Sequence, residues 1–209
     1  MLTWPLAIIL GVIACIALFV NVRTPGFIGS LGENEVTHRL KRLDKNCYSF
    51  LSNVLLPSRN GRIGTSQIDH IVVSTFGVFC IETKTRSGVI VGDADDKDWT
   101  QVLSNRTYTF YNPLRQNYGH VRALESVLGH HLKARIISLV ALPLAERLEL
   151  TGTDAVSKVQ GTMQKLLSYR APIYSQEERA VLVRLIEASR IRDRAAYRQH
   201  VRQIRSHKI

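Results

Sequence analysis

Acidic side chains are the scarce class in this sequence: 17 Asp and Glu stand against 28 Lys and Arg, for a formal net charge of +11. An excess of this sign disfavours a basic partner and points to an anionic one, nucleic acid or lipid headgroups, or else to a charged solubilising surface. Cysteine is nearly missing. Cys15, Cys47 and Cys80 are far apart, odd in number and never in CxxC spacing, which excludes a disulfide framework and a zinc site and suits a reduced, cytoplasmic setting. Cys80 lies in an apolar run and reads as a small core residue. No internal repeat or low-complexity tract occurs. Hydrophobic residues are not lacking: at 45% of 209 residues they support a sizeable core in one domain plus a short accessory segment, and exclude a disordered chain.

Charge is absent altogether from Met1 to Val22, and Trp4 to Val22 is almost wholly apolar. A helix needs about 20 such residues to cross the hydrocarbon core. Trp4 suits one interface and Arg23 closes the run at the other. A cleaved signal peptide would carry a basic n-region, which is missing here. Val12-Ile13-Ala14-Cys15 loosely resembles a lipoprotein cleavage box, but the apolar run continues past Cys15. A buried soluble helix is the bland alternative. Arg23, Arg39, Lys41 and Arg42 all follow the span and none precedes it. The positive-inside rule then predicts a single-pass inner-membrane protein, its amino terminus outside and its body in the cytoplasm. Thr24-Pro25-Gly26 opens a linker expected over residues 24–28.

Beyond it, Val36, Leu40 and Leu43 form a helical stripe on which Glu33 also falls. A carboxylate facing inward needs a partner or a metal; the alternative is a first-turn position favoured by the helix dipole by about 0.3–1 kcal/mol. A strand is expected over Tyr48 to Leu56, then a polar loop from Pro57 to Ser66. The next stretch is the most informative. Gln67-Ile68-Asp69-His70-Ile71-Val72-Val73-Ser74, a turn at Thr75-Phe76-Gly77, and Val78-Phe79-Cys80-Ile81-Glu82-Thr83-Lys84 read as a β-hairpin. Period two puts Glu82 and Lys84 on the face of Val78 and Cys80, and Gln67 and Asp69 on that of Ile71 and Val73. The hairpin brings its two polar ends together, with Asp69 opposite Glu82 and Lys84.

Paired carboxylates bind a hard divalent cation through oxygen, which polarises a phosphoryl group and acidifies a bound water. A neighbouring lysine can orient that water or neutralise developing charge. A solvated ion pair worth about 0–1 kcal/mol is the competing interpretation, and a bare ExK motif would favour it. Asp69 at the matching strand end and Glu33 upstream reverse that preference.

These residues resemble the nuclease-related domain (NERD) family, a branch of the PD-(D/E)XK nuclease superfamily. The similarity runs through Gly29-Ser30-Leu31-Gly32-Glu33, Gln67 to Val73, Phe76 to Phe79 and Ile81 to Lys84. It continues through Ser87-Gly88, Gly92-Asp93, Trp99 and Phe110 to His120, covering roughly residues 28 to 140. The resemblance implies a restriction-endonuclease-like α/β fold, a central mixed sheet flanked by helices. It implies metal-binding roles for Glu33, Asp69 and Glu82, with magnesium or manganese, and a catalytic role for Lys84. Gln116 looks like a glutamine that some nucleases of the superfamily place beside the site. Those relatives often carry a tyrosine four residues later, where this chain has His120. Fold alone does not fix activity.

Other candidates carry less. Asp93, Asp95, Asp96 and Asp98 lack the Gly and Glu of a calcium loop. His130-His131 has no companions at ligand spacing and is expected to end a helix. Trp99 reads as an anchor in the core or a loop. Tyr108, Phe110 and Tyr111 suit a strand, with burial expected for most and stacking on a base open to one. Residues 136 to 142 read as a buried strand, followed by helices near Lys158 to Tyr169 and Gln176 to Arg205. The second holds eight arginines that could track phosphates, meet anionic lipid or simply face solvent.

The expected layout is a transmembrane anchor over 1–23, a linker over 24–28, a nuclease-like core over 29–150 and a basic helical extension over 151–209 packed on it. The expected function is magnesium- or manganese-dependent hydrolysis of phosphodiester bonds, with DNA as the nucleic-acid partner. The alternatives are an inactive nucleic-acid-binding or interaction module on the same tether, and a tethered scaffold whose basic face serves lipid.

Overall fold

The computed structural model describes residues 25–58 and 63–206. The expected membrane segment Trp4–Val22 lies outside them; among the described residues no helix is long and apolar enough to cross a membrane. Helix α1, Pro25–Leu40, begins where a linker was expected. Proline suits a first helical position, because the N–H it lacks would have no intrahelical partner there.

Strands β1 (Tyr48–Pro57), β2 (Thr65–Ser74) and β3 (Gly77–Thr83) form an antiparallel meander. The β2–β3 turn closes on Ser74↔Gly77, as the alternation of apolar residues and Gly77 predicted. Strands β4 (Gly88–Asp93), β5 (Asp98–Val102) and β6 (Thr107–Tyr111) follow, then α2 (Pro113–Leu128) and one 3-10 turn at Gly129–His131. The chain ends with β7 (Ile137–Ala141), β8 (Ala145–Thr151), β9 (Val156–Ser157), α3 (Val159–Ser168), α4 (Gln176–Ser189) and α5 (Arg194–Ser206).

The strands divide into two mixed sheets, not the one central sheet expected. The first runs β1-β2-β3-β7-β9, with β7 parallel to β3 and to β9; the second runs β6-β5-β4-β8, with β4 and β8 parallel. Helices cover both faces of the first sheet. Val36 and Leu40 of α1 and Val159, Met163 and Leu166 of α3 pack on Val72, Phe79, Ile81 and Leu139. On the other face Val121, Leu124 and Leu128 of α2 and Leu182 and Ile186 of α4 pack on Leu51, Val54, Ile71, Val73, Val78 and Cys80. The smaller sheet has its own core at Ile90, Trp99 and Phe110.

Three expectations are corrected. Residues after 150, expected as a helical extension packed on the core, also supply strand β9 of the first sheet, and α3 and α4 pack on its two faces. The single late helix breaks into α4 and α5 at Arg190–Asp193. No Gly or Pro marks that break; Ile191 N–H donates to Leu55 O, and Arg190 donates to the carbonyls of Ser52 and Asn53, tying the segment to β1. Tyr108 and Tyr111 are exposed and only Phe110 is buried, since β6 is the edge of the smaller sheet.

Candidate active site

The first sheet carries the site at the open end of its β2–β3 hairpin. The ladder is recorded from Ser74↔Gly77 to His70↔Ile81, so the next step sets Asp69 against Glu82. There the pairing changes character. The N–H of Thr83 donates to Asp69 Oδ2 at 2.8 Å, and the N–H of Lys84 is taken by Ala141 O of β7. The carboxylate of Asp69 thus occupies backbone hydrogen-bonding capacity and is held against β3.

On the other side of β2 stands Asn53, at φ 53°, the one non-glycine residue with positive φ among those described. It lies between the pairs Ser52↔His70 and Val54↔Ile68, across from Asp69. Asparagine tolerates this left-handed conformation better than most residues. Strict alternation fails here. Ile68 shares a core with Ile71 and Val73, and Ser66 reaches α2, so the strand is out of phase on either side of Asp69. A face assignment extended from Ile71 back to Gln67 is therefore corrected: it holds only as far as Asp69.

Glu82 is the best-connected group, with its side chain only 2% exposed. Oε1 receives Lys84 Nζ at 2.7 Å and Gln116 Nε2 at 2.8 Å, while Gln116 Oε1 accepts from Lys84 Nζ at 2.8 Å. The three side chains close a ring in which each touches the other two. Glu82 Oε2 lies 3.2 Å from His120 Nε2 but outside hydrogen-bond geometry, and so has no hydrogen-bond partner. Burial raises the Glu82 pKa; the attraction of Lys84 and the contact with His120 outweigh it and hold the carboxyl below its usual range. Asp69 goes the other way. Burial and the charge of Glu82 raise its pKa well above the ordinary value, against lowering by the Thr83 N–H and Lys84.

Gln116 is aimed by helix α2, which Asn112 caps by accepting Leu114 N–H at 2.8 Å. The next residue, buried Asn117, donates to Cys80 O, Ser138 Oγ and Leu139 O and accepts from Cys80 Sγ. It fixes the helix to β3 and β7 directly beneath the site. His120, one turn beyond Gln116, is held at 2.6 Å by Ser66 Oγ. In the sequence His120 stands out only as a departure from the tyrosine of related nucleases. Its spacing from Gln116 is the available signal; Asn117 falls inside the stretch that resembles the family, without a role of its own there, and nothing in the sequence marks Ser66 or Asn53.

Glu33 is less intimately placed than expected. It is exposed, although Val36 and Leu40 on its stripe are buried, and it lies well past the first turn of α1. The dipole explanation therefore falls with the buried one. Partial burial and the charge of Glu82 raise its pKa, against the opposing effect of Lys84. Gly32 allows this approach: a Cβ there would meet Thr85 Cγ2 at 2.1 Å. The structure thus gathers Asp69, Glu82, Lys84 and Gln116, adds His120, and leaves Glu33 at the rim. Among the described residues no group of three or more His, Cys, Asp or Glu side chains is close enough to hold a metal ion.

The family model of the nuclease-related domain matches residues 28–143, more than half of the chain. The chain belongs to the nuclease-related domain family. It is also similar to an uncharacterized protein of Bacillus anthracis, 36% identical over 125 residues, covering 60% of this chain and 58% of that one. The similarity thus spans little more than half of that relative's length. No solved structure matches the chain. All of the gathered residues fall within the matched segment, and α3, α4 and α5 lie beyond it.

Proposed function

We propose that this nuclease-related domain hydrolyses phosphodiester bonds of DNA with magnesium or manganese, tethered to the inner membrane by Trp4–Val22 with its body in the cytoplasm. The observation that carries the reading is the closed ring of Glu82, Lys84 and Gln116 with Asp69 across the hairpin end. A binding surface for phosphate has no use for two carboxylates that repel it. The donor set fits a hard cation: Asp69 and Glu82 offer oxygen, one buried Glu82 oxygen has no hydrogen-bond partner, and Glu33 lies near enough to feel Glu82. When bound, such a cation supplies Lewis acidity and an acidified water.

The protein's own groups divide the remaining work. Asp69 and Glu82 would hold the cation, with Glu33 approaching from α1. Lys84, released from full engagement with Glu82, positions the attacking water and opposes charge on the phosphoryl oxygens. Gln116 keeps Lys84 and Glu82 in register through both ends of its amide. His120 lies 3.2 Å from the second Glu82 oxygen without hydrogen-bonding to it, which leaves that oxygen open to a cation.

The test is cleavage of DNA and RNA by the full chain with magnesium, manganese or chelator, beside Asp69→Ala, Glu82→Ala and Lys84→Ala. Metal-dependent cleavage lost in all three supports the reading; cleavage that survives in all three removes this site. A second reading, a nucleic-acid-binding module without turnover, is favoured by one observation: no three ligand side chains are gathered among the described residues. Folded protein that binds but never cleaves would establish it.

A further inference from the structure

Asn53 belongs to two places at once. It stands across β1 from Asp69, and it forms part of the wall of an open cavity of about 640 Å³ whose other lining residues are Arg190, Arg192, Arg194, Tyr197 and Arg198. The neighbouring strand is about 5 Å away, so this basic cavity borders the carboxylate site. We propose that it is a phosphate-binding subsite for the nucleic-acid backbone next to the bond being cut. This inference rests on the nuclease-related reading given above and deepens it.

The four guanidinium groups are not equally free. Arg190 donates to the carbonyls of Ser52 and Asn53 and faces Glu187 at 3.6 Å; Arg192 binds the carboxylate and carbonyl of Glu187. These two build the wall. Arg194 and Arg198 are exposed and have no hydrogen-bond or ion-pair partner among the described residues. They are four residues apart on α5 and so lie one turn above the other on one face. Like charges at this spacing repel, and cations at a helix N-terminus oppose the macrodipole.

Nothing within α5 relieves that accumulation, since the helix contains no acidic residue. Asp193, just before it, spends one oxygen on Ala195 N–H. Two unpaired arginines at the positive end of a helix, opening into a cavity beside paired carboxylates, suit an anion with several acceptor oxygens. Concavity favours a discrete phosphate chain over a lipid surface. The β1 end of α5 is itself anchored: Tyr197 donates to Asn53 O, and His200 pairs with Thr65 at 2.8 Å. The subsite is thereby held to β2, the strand that carries Asp69, and to its neighbour β1.

The experiment uses the full chain in mild detergent, with chelator present so that no cleavage is needed. Binding of a 5′-labelled single-stranded oligonucleotide is followed by fluorescence anisotropy across a salt series for wild type, Arg194→Ala/Arg198→Ala and Arg194→Lys/Arg198→Lys. The double alanine variant is expected to bind at least tenfold more weakly. Its log affinity against log salt should lose a slope of about 1.4, two contacts at about 0.7 each. The lysine variant should keep most of the slope. Unchanged affinity and slope in the folded double alanine variant overturn the subsite even if metal-dependent cleavage is found. Loss of binding to phosphatidylglycerol micelles, with oligonucleotide binding intact, assigns the arginines to lipid and also overturns it. Loss of oligonucleotide binding in a protein that never cleaves keeps the subsite and removes only the nuclease reading.

Discussion

Asp69 is expected to make the folded protein less stable at neutral pH than an uncharged residue would. Burial and repulsion from Glu82 raise its pKa well above 3.8, and the Thr83 N–H, at 2.8 Å, only partly offsets them. A carboxyl with a raised folded-state pKa holds its proton more tightly folded than unfolded. Its contribution is neutral below about pH 3.8, turns destabilising as pH rises towards the raised value, and stays so above it. Asp69→Asn keeps an oxygen for Thr83 and removes the charge. The gain at pH 8 should be about 0.5–2 kcal/mol, the range common for a single stabilising substitution. With a urea slope of about 2 kcal/mol/M, the midpoint should rise by about 0.3–1 M. The assay is urea unfolding of the full chain in chelator at pH 4, 6 and 8, followed by tryptophan fluorescence, to which buried Trp99 contributes. The gap between variant and wild type should widen with pH while cleavage is lost. Asp69→Asn no more stable than wild type at pH 8, or a gap independent of pH, would refute the reasoning.

Three further outcomes are expected. Magnesium at about one hundred times its dissociation constant should stabilise the wild type by about 2.7 kcal/mol, a melting shift of roughly 5–10 °C, and leave Asp69→Asn unmoved in scanning calorimetry. Burial lowers the His70 pKa to about 4 from 6.5, against the Glu33 backbone and the charge of Glu82. Its neutral form is therefore favoured in the fold, and stability present above pH 6.5 should fall by about 3 kcal/mol as pH drops to 4; His70→Gln should flatten that slope in urea titrations. Asn117→Ala leaves the carbonyls of Cys80 and Leu139 without its amide and should cost about 1–3 kcal/mol in the same unfolding assay.

The hairpin and its carboxylates were legible because period two and a glycine turn are local signals. They located Asp69, Glu82 and Lys84, and similarity to relatives added Gln116. The missed features all depend on contacts far along the chain. The break at Arg190–Asp193 is made by hydrogen bonds to β1, more than 130 residues earlier. The left-handed Asn53 shifts the phase of β1 and β2 without altering composition. Glu33 had the right helical spacing for burial, but it remains exposed on α1 while Val36 and Leu40 of the same stripe are covered. A stripe gives direction around a helix and says nothing about how far the partner surface extends.

Asn117 has a consequence for how sequences of this family are compared. Its amide meets three acceptors while its oxygen accepts from a thiol, all under burial, so few other side chains could replace it. Selection for folding alone would keep such a residue unchanged beside Gln116. An invariant asparagine at this position would then invite assignment to the chemistry, although it faces away from any reacting atom. Invariance next to a candidate catalytic residue is, in this fold, as much a record of helix attachment as of reaction.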